Sequence, residues 1–250
     1  MSKFTPSAAL GALAVAFGMQ AGAAPTVLHD QSDFGMGTGP EAAQLLSVSD
    51  FVLAAPASIN GFKVWMKDGN AAFGGGDGVA DGVFRSFSGT LSWYFFADAA
   101  DAPGALLASG SAVAPAIVDT GLDTVIDIDD VFELTVNLPF EIALGAGRTW
   151  FGVREGAVGS AYDGTSITWM GSIVAQGAGR YTFFDAPNLA DLTGPHAIDG
   201  AFQIIGQPLP EPAPLALVAA AWLVAITQRR PRWRGWNALC RAGVPPHTNG

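Results

Sequence analysis

Two acidic runs are the groups in this 250-residue sequence whose spacing could bind a metal ion. Asp77 and Asp81 lie in a glycine-rich segment, and Asp127 and Asp129 belong to a second run before a strand-like segment. Calcium takes about six to eight oxygen ligands, so aspartate-rich turns can bind it. Neither run fits an EF-hand loop, and aspartates also occupy turns through hydrogen bonds to their own backbone. The sequence therefore predicts no cofactor, with calcium at these four aspartates as the alternative.

Two tryptophans are candidates for binding a sugar ring. Alternation along a strand places Trp65 on the same face as Lys63 and Lys67, and Trp150 on the same face as Arg154. A tryptophan that shares a face with charged side chains is a candidate for exposure, and sugar rings stack on exposed aromatic faces. The alternative is that both tryptophans fill a second layer beneath a covering segment.

Catalytic motifs are absent from the sequence. The three histidines, His29, His196 and His247, stand in no metalloprotease, nucleophile-elbow or Ser-His-Asp pattern. A glycoside hydrolase needs a pair of carboxylates, but 22 acidic residues supply many candidates and identify none. We therefore predict a protein that is not an enzyme. The rival is a secreted hydrolase with an unrecognised carboxylate pair.

The elements that position these residues are short strands. Between residues 25 and 205 no segment has a helical period of apolar residues over three turns. Glycine, proline and aspartate clusters separate segments rich in aromatic and β-branched residues, which indicates an all-β antiparallel sandwich of jelly-roll type. Trp93 is expected in the core of a strand covered on both faces, and Pro103 with Gly104 is expected in a type II turn. The predicted strands are 45–53, 58–66, 89–97, 131–138, 149–154, 166–170, 180–184 and 201–205.

The N-terminal segment has the three parts of a secretory signal peptide. Lys3 precedes an apolar segment at 8–17, and Ala21 and Ala23 then form an A-x-A cleavage site. We predict a signal helix within residues 1–23, cleavage after Ala23 by signal peptidase, and an exported domain over 24–207.

The C-terminal segment has an equally distinct order. Pro210, Glu211 and Pro212 precede an uncharged stretch at 213–227, which we predict to form a hydrophobic helix, and a basic cluster follows it. Proline interrupts a preceding strand or helix, and arginine is retained on the cytoplasmic side of a membrane. Because the apolar stretch is shorter than the roughly 20 residues of a full span, it favours transient membrane contact over permanent anchoring. The cluster contains Arg229, Arg230 and Arg232.

This tail resembles the sorting signal of PEP-CTERM proteins, a family of exported bacterial proteins. The resemblance covers residues 208–234 and implies recognition and processing by exosortase at the inner membrane. Residues 235–250, which include the single cysteine Cys240, are expected to be a disordered tail.

The body also resembles a type of PEP-CTERM ectodomain over about residues 45–206, although Ser49 replaces an acidic residue common in that pattern. The resemblance implies a jelly-roll-like secreted module. The matching segments are SDFVL at 49–53, INGFKVW at 59–65, YFFAD at 94–98, APGALLAS at 102–109, PFEIALGAGRTW at 139–150, ITW at 167–169 and AFQI at 201–204.

Charge is divided unevenly along the chain. Residues 24–212 contain all 22 acidic residues and six basic ones, a net charge of −16, whereas the whole chain carries −10. Nucleic acid is excluded as a partner because phosphate binding needs concentrated lysine and arginine. The sequence therefore predicts a protein of the cell surface or extracellular matrix, with a non-catalytic structural or binding role and extracellular polysaccharide as a possible partner.

Overall fold

The computed structural model describes residues 24–35, 39–68, 80–124, 129–161, 167–173 and 178–209, which fold as an all-β structure. These ranges contain no helix, and hence none that could span a membrane. The strands are β1 Thr26–Gln31, β2 Leu46–Leu53, β3 Ala57–Asp68, β4 Thr90–Asp98, β5 Pro103–Val113, β6 Ala116–Asp123, β7 Asp130–Leu144, β8 Gly147–Glu155, β9 Ile167–Trp169, β10 Arg180–Asp185, β11 Ala190–His196 and β12 Phe202–Pro208.

Two antiparallel sheets make up the structure. The first sheet has the order β1-β12-β3-β7-β6, with β9 also paired to β3, and the second has the order β11-β10-β2-β8-β4-β5. Their facing sides enclose the main core, because alternate residues of each strand point to the same face. The predicted all-β antiparallel sandwich is confirmed at this level.

Phe151 of β8 lies at the centre of that core. It is fully buried, and its ring centroid lies 4.9 Å from that of Phe62 on β3 and 5.2 Å from that of Phe202 on β12. On its own sheet it packs against Phe95 of β4 at 5.1 Å. Phe151 therefore joins the two sheets through aromatic contacts.

All eight predicted strands are present, but their ends differ, most of all for β7, which continues to Leu144 instead of ending at residue 138. The prediction that β4 is covered on both faces is also confirmed. Trp93 and Phe95 are buried in the main core, whereas Tyr94 and Phe96 are buried in a second cluster on the outer face. The strands β1, β5, β6 and β11 are additional to the prediction.

The predicted type II turn at Pro103 and Gly104 is wrong. The reversal between β4 and β5 is centred three residues earlier, where the N–H of Ala99 donates to the carbonyl of Ala102 at 2.8 Å. Its central residues, Ala100 and Asp101, have φ values of 53° and 66°. Positive φ at both central positions is the geometry of a type I′ turn, whose twist suits a hairpin. Pro103 instead begins β5, where a proline at the first position is tolerated.

The β10–β11 hairpin covers the outer face of the second sheet. Two strands separate β10 from β4 in the sheet order. Nevertheless, the ring of Phe183 on β10 lies 5.3 Å from that of Phe96 on β4. This distance requires β10 to curl over the sheet, since neighbouring strands are about 4.8 Å apart. The curled hairpin explains why large aromatic residues on this outer face are buried.

Candidate functional site

Trp65 lies on the outer face of the first sheet, beneath a segment that covers that face. Its side chain is 7% exposed and packs with Val131 and Met170. Phe34, from the segment after β1, stacks on its ring at a centroid distance of 6.1 Å. The prediction that Trp65 is exposed is wrong, and the alternative of a second covered layer is confirmed.

Trp150 is covered in the same manner on the second sheet. It is fully buried, and Tyr181 of the β10–β11 hairpin meets it edge-on at a centroid distance of 5.2 Å. Its Nε1 donates to Asp98 Oδ1 at 2.9 Å. The prediction of an exposed Trp150 is therefore also wrong. Because stacking on a sugar needs an accessible ring face, the argument for carbohydrate binding at these two residues loses its basis.

Beside Trp150 lies a cluster of charged residues that sequence reasoning did not select. Asp50 of β2 is fully buried and its Oδ1 accepts a hydrogen bond from the Ala178 N–H at 3.0 Å. Arg148 Nε lies 3.0 Å from Asp50 Oδ2, yet neither atom has hydrogen-bond geometry with a described residue. The contact is therefore an ion pair without a directed hydrogen bond. Arg148 also pairs with Asp101 in the β4–β5 turn.

The Asp50 carboxyl has a perturbed ionisation. Burial raises its pKa above the usual 3.8, Arg148 opposes that rise, and the nearby Asp98 adds to it. Buried carboxyls with raised pKa values occur at proton-transfer sites, but they also occur in structural ion pairs. The bonding at Asp50 supports a structural role, since Arg148 links strand β2 to the β4–β5 turn through Asp50 and Asp101.

The raised pKa of Asp50 predicts a specific pH dependence of stability. Because the folded chain holds the Asp50 proton more tightly than the unfolded chain, protonation of Asp50 favours the folded state. This contribution to stability is fully present below pH 3.8, where Asp50 is protonated in both states. As pH rises through the folded pKa, the unfolded chain has already released its proton, and this contribution is lost. An Asp50→Asn variant lacks the titration, so its stability relative to the wild type is expected to increase across this window.

Urea unfolding of both proteins, measured at closely spaced pH values from pH 3 to neutrality, tests this expectation. The difference between their free energies of unfolding isolates Asp50 from the other carboxyls. A difference that does not change with pH, or that changes in the opposite direction, would contradict the assignment.

The described parts of the two predicted calcium runs, which include Asp81 in the first and Asp130 in the second, are in contact. Asp130 Oδ2 accepts hydrogen bonds from the backbone N–H groups of Asp81 and Gly82 at 2.8 and 2.7 Å. Runs that are separate in the sequence are therefore neighbours in the fold. Of the four candidate ligands, Asp77 and Asp127 lie outside the described residues.

The two described candidates, Asp81 and Asp129, form ion pairs with basic side chains of the same chain. Asp129 lies 3.3 Å from the Lys67 ammonium, and both side chains are almost fully buried. Asp81 pairs with Arg85 at 2.5 Å. No group of three or more acidic, histidine or cysteine side chains suited to a metal occurs in the part of the chain that the structure describes. The Lys67 ammonium places a positive charge beside the Asp129 carboxylate.

The predicted processing residues lie outside the described ranges, so the structure gives no account of them. They are Ala21 and Ala23 at the signal cleavage site, and Pro210, Glu211, Pro212, Arg229, Arg230 and Arg232 in the sorting segment.

A cavity of about 350 Å³ lies between the connection from β5 to β6 and the middle of β7. Residues 111–116 and 135–137 form its walls, together with Trp93 and Pro139, and none of these residues is charged. Trp93 Nε1 is buried and makes no hydrogen bond to a described residue. The volume is at the small end of ligand pockets, and the lining suits an uncharged group.

Comparisons with known proteins do not assign the chain to a family. No family model matches its sequence, and no curated protein has significant similarity to it.

Proposed function

We propose that this chain is an exported protein of the cell surface or extracellular matrix, with a non-catalytic structural or binding role. In this proposal signal peptidase removes residues 1–23. Exosortase then recognises residues 208–234 at the inner membrane and processes them. The mature protein would then lie among extracellular polysaccharide, which is a proposed partner.

The position of the folded unit between the two predicted signals carries this proposal. Strand β1 begins at Thr26, just after the predicted cleavage site, and β12 ends at Pro208, just before the Pro-Glu-Pro motif. The chain divides into two units between Leu209 and Pro210. Removal of both predicted signals would leave every described strand in place.

The strand order supports a jelly roll for the exported body. Eight strands form two sheets of four, in the orders β1-β12-β3-β7 and β2-β8-β4-β5. In the first of these sheets the first strand of the chain, β1, is paired with the last, β12. Double-sheet jelly rolls have eight strands in two sheets. In this interpretation β6, β9 and the β10–β11 hairpin are additions to the eight-stranded core. The signal helix and the hydrophobic C-terminal helix belong to the same proposal.

The charge of the body supports a role among polymers. Residues 24–212 contain six basic residues and 22 acidic ones, and a net charge of this size favours solubility. Two of the basic side chains, Lys67 and Arg148, form ion pairs with the buried carboxylates of Asp129 and Asp50. Acidic residues still far outnumber basic ones, so the body carries an excess of negative charge.

The termini of the mature protein test the proposal. In a host that carries an exosortase, we expect terminal-peptide mass spectrometry to find Ala24 as the first residue. We also expect the mature chain to lack residues 229–250, because the sorting segment is processed.

Two control cultures isolate the sorting step. Deletion of the exosortase is expected to leave residues 229–250 on the chain. Alanine replacement of Pro210, Glu211 and Pro212 is expected to do the same in the normal host. An intact C-terminal tail on the mature wild-type protein would contradict the processing proposal.

A further inference from the structure

Strand β5 is an exposed sheet edge without charge. It ends the order of the second sheet and pairs, among the described strands, with β4. Residues 102–118 contain no charged side chain, although the body around them carries −16. Natural edge strands usually resist pairing through lysine, proline or bulges within the strand. In β5 the proline is confined to the first position, and the irregular register lies before Ala108.

The second half of β5 presents regular backbone groups to that open edge. The N–H of Ala114 donates to the Gly89 carbonyl, which fixes the hydrogen-bonding phase of the β4–β5 pair. In an antiparallel pair, alternate residues direct their N–H and C=O groups away from the partner strand. By this alternation, the outward-directed residues are Ser109, Ser111 and Val113.

Exposed apolar side chains surround this edge. Val113 is 77% exposed, and Phe140 of β7 is 54% exposed although its ring contacts Trp93 at 6.0 Å. The 350 Å³ cavity beside Trp93 lies in the same region, between β5 and β7. A backbone edge that no described strand pairs and an apolar border therefore coincide at one place on the molecule.

We propose that β5 pairs antiparallel with β5 of a second copy, about a two-fold axis at Ser111. Such an interface is self-complementary, since each copy presents the same strand to the other. Ser109 of one copy then faces Val113 of its partner, and outward N–H groups meet outward carbonyls. The contact also brings together segments without charged side chains, so residues 102–118 place no carboxylate in the interface between the two acidic bodies.

The proposed self-association rests on the open edge of β5 and on its lack of charged side chains. It does not depend on processing of the chain by exosortase. Repulsion between the acidic bodies weakens the dimer at low salt. Screening reduces that repulsion, because the Debye length falls to about 3 Å at 1 M ionic strength. Salt therefore favours this interface.

Thiol crosslinking in the full chain tests the pairing directly. With Cys240→Ser as background, a Ser111→Cys variant places two thiols opposite each other at the two-fold axis. Opposite Cβ atoms in an antiparallel pair are about 5 Å apart, so a short bismaleimide is expected to give a dimer on a denaturing gel. The yield is expected to rise several-fold between 50 and 500 mM NaCl.

A Val52→Cys variant in the same background is the matched control, because Val52 is 55% exposed and lies on β2, away from β5. It is expected to give little dimer. Equal yields from the two variants, or no dimer from Ser111→Cys at any salt or protein concentration, would overturn the proposal.

Substitutions at Ser109 separate strand pairing from simple proximity. In the Ser111→Cys background, Ser109→Pro removes an outward N–H without removing a β4–β5 hydrogen bond, and is expected to lower the dimer yield at least tenfold. Ser109→Ala keeps the N–H and is expected to retain the yield. If the proline variant does not fold, Ser109→Asp introduces a carboxylate at the edge and is expected to lower the yield similarly. A full yield from a folded Ser109→Pro or Ser109→Asp protein would contradict strand pairing.

Discussion

Replacement of Lys67 by methionine is expected to lower the free energy of unfolding by about 3–5 kcal/mol, the usual effect of removing one partner of a buried ion pair. The Lys67 and Asp129 side chains are 3% and 1% exposed, and the ammonium lies 3.3 Å from the carboxylate. Removal of Lys67 takes away a cationic partner of the buried Asp129 carboxylate, which disfavours the folded state near neutral pH.

Lys63 provides a matched control on the same two strands. It pairs with Glu133 at 2.7 Å, but these side chains are 32% and 23% exposed. A partly exposed pair contributes about 0–1 kcal/mol, so Lys63→Met is expected to have a small effect. Urea unfolding of the mature proteins near neutral pH measures both changes. Similar losses from the two variants would show that burial does not determine the strength of the Lys67–Asp129 pair.

Truncation of Phe151 to alanine is the second large effect, an expected loss of about 3–5 kcal/mol. The ring is fully buried between the sheets and contacts Phe62, Phe95 and Phe202 at centroid distances near 5 Å. Its removal would leave a cavity that both sheets would have to shift to fill.

The same substitution at Phe184 controls for the loss of a phenyl ring alone. Phe184 is 54% exposed at the end of the β10–β11 hairpin, and exposed positions usually change stability by about 0.5 kcal/mol or less. Denaturant unfolding of both variants measures the contrast. A loss below about 1 kcal/mol for Phe151→Ala would contradict its central position in the packing.

The strands that sequence reasoning found and those it missed differ in position. The four missed strands, β1, β5, β6 and β11, are the outermost strands of the two sheets. Interior strands must present apolar residues to a core, which gives them a pattern that sequence analysis detects. An edge strand has less to bury, and β6 is exposed along most of its length. Its sequence therefore resembles that of a loop.

The two tryptophan predictions failed for a related reason. Alternation correctly placed Trp65 with Lys63 and Lys67 on the outer face of β3. It could not show that a distant segment covers that face, since Phe34 is about 30 residues away in sequence. Alternation assigns a side chain to one face of a strand, whereas burial depends on what packs against that face.

The charged cluster around Asp50 shows the same limit. Asp50 shares its strand face with Val48 and Val52, so a charge there interrupts an otherwise apolar pattern. That interruption was the available signal. Its partner Arg148 lies on β8, and the distance between them could not be read from one sequence.

The pairing of β12 determines how the body would respond to mechanical load. A chain held by its C-terminal end transmits tension through Pro208 into β12, which lies between β1 and β3. Hydrogen bonds on both sides must then shear together along Phe202–Pro208, because β12 is not an outer strand that could peel away one bond at a time. The sandwich would therefore resist a pull from its C-terminal end more strongly than a pull on β1, which pairs with β12 alone among the described strands.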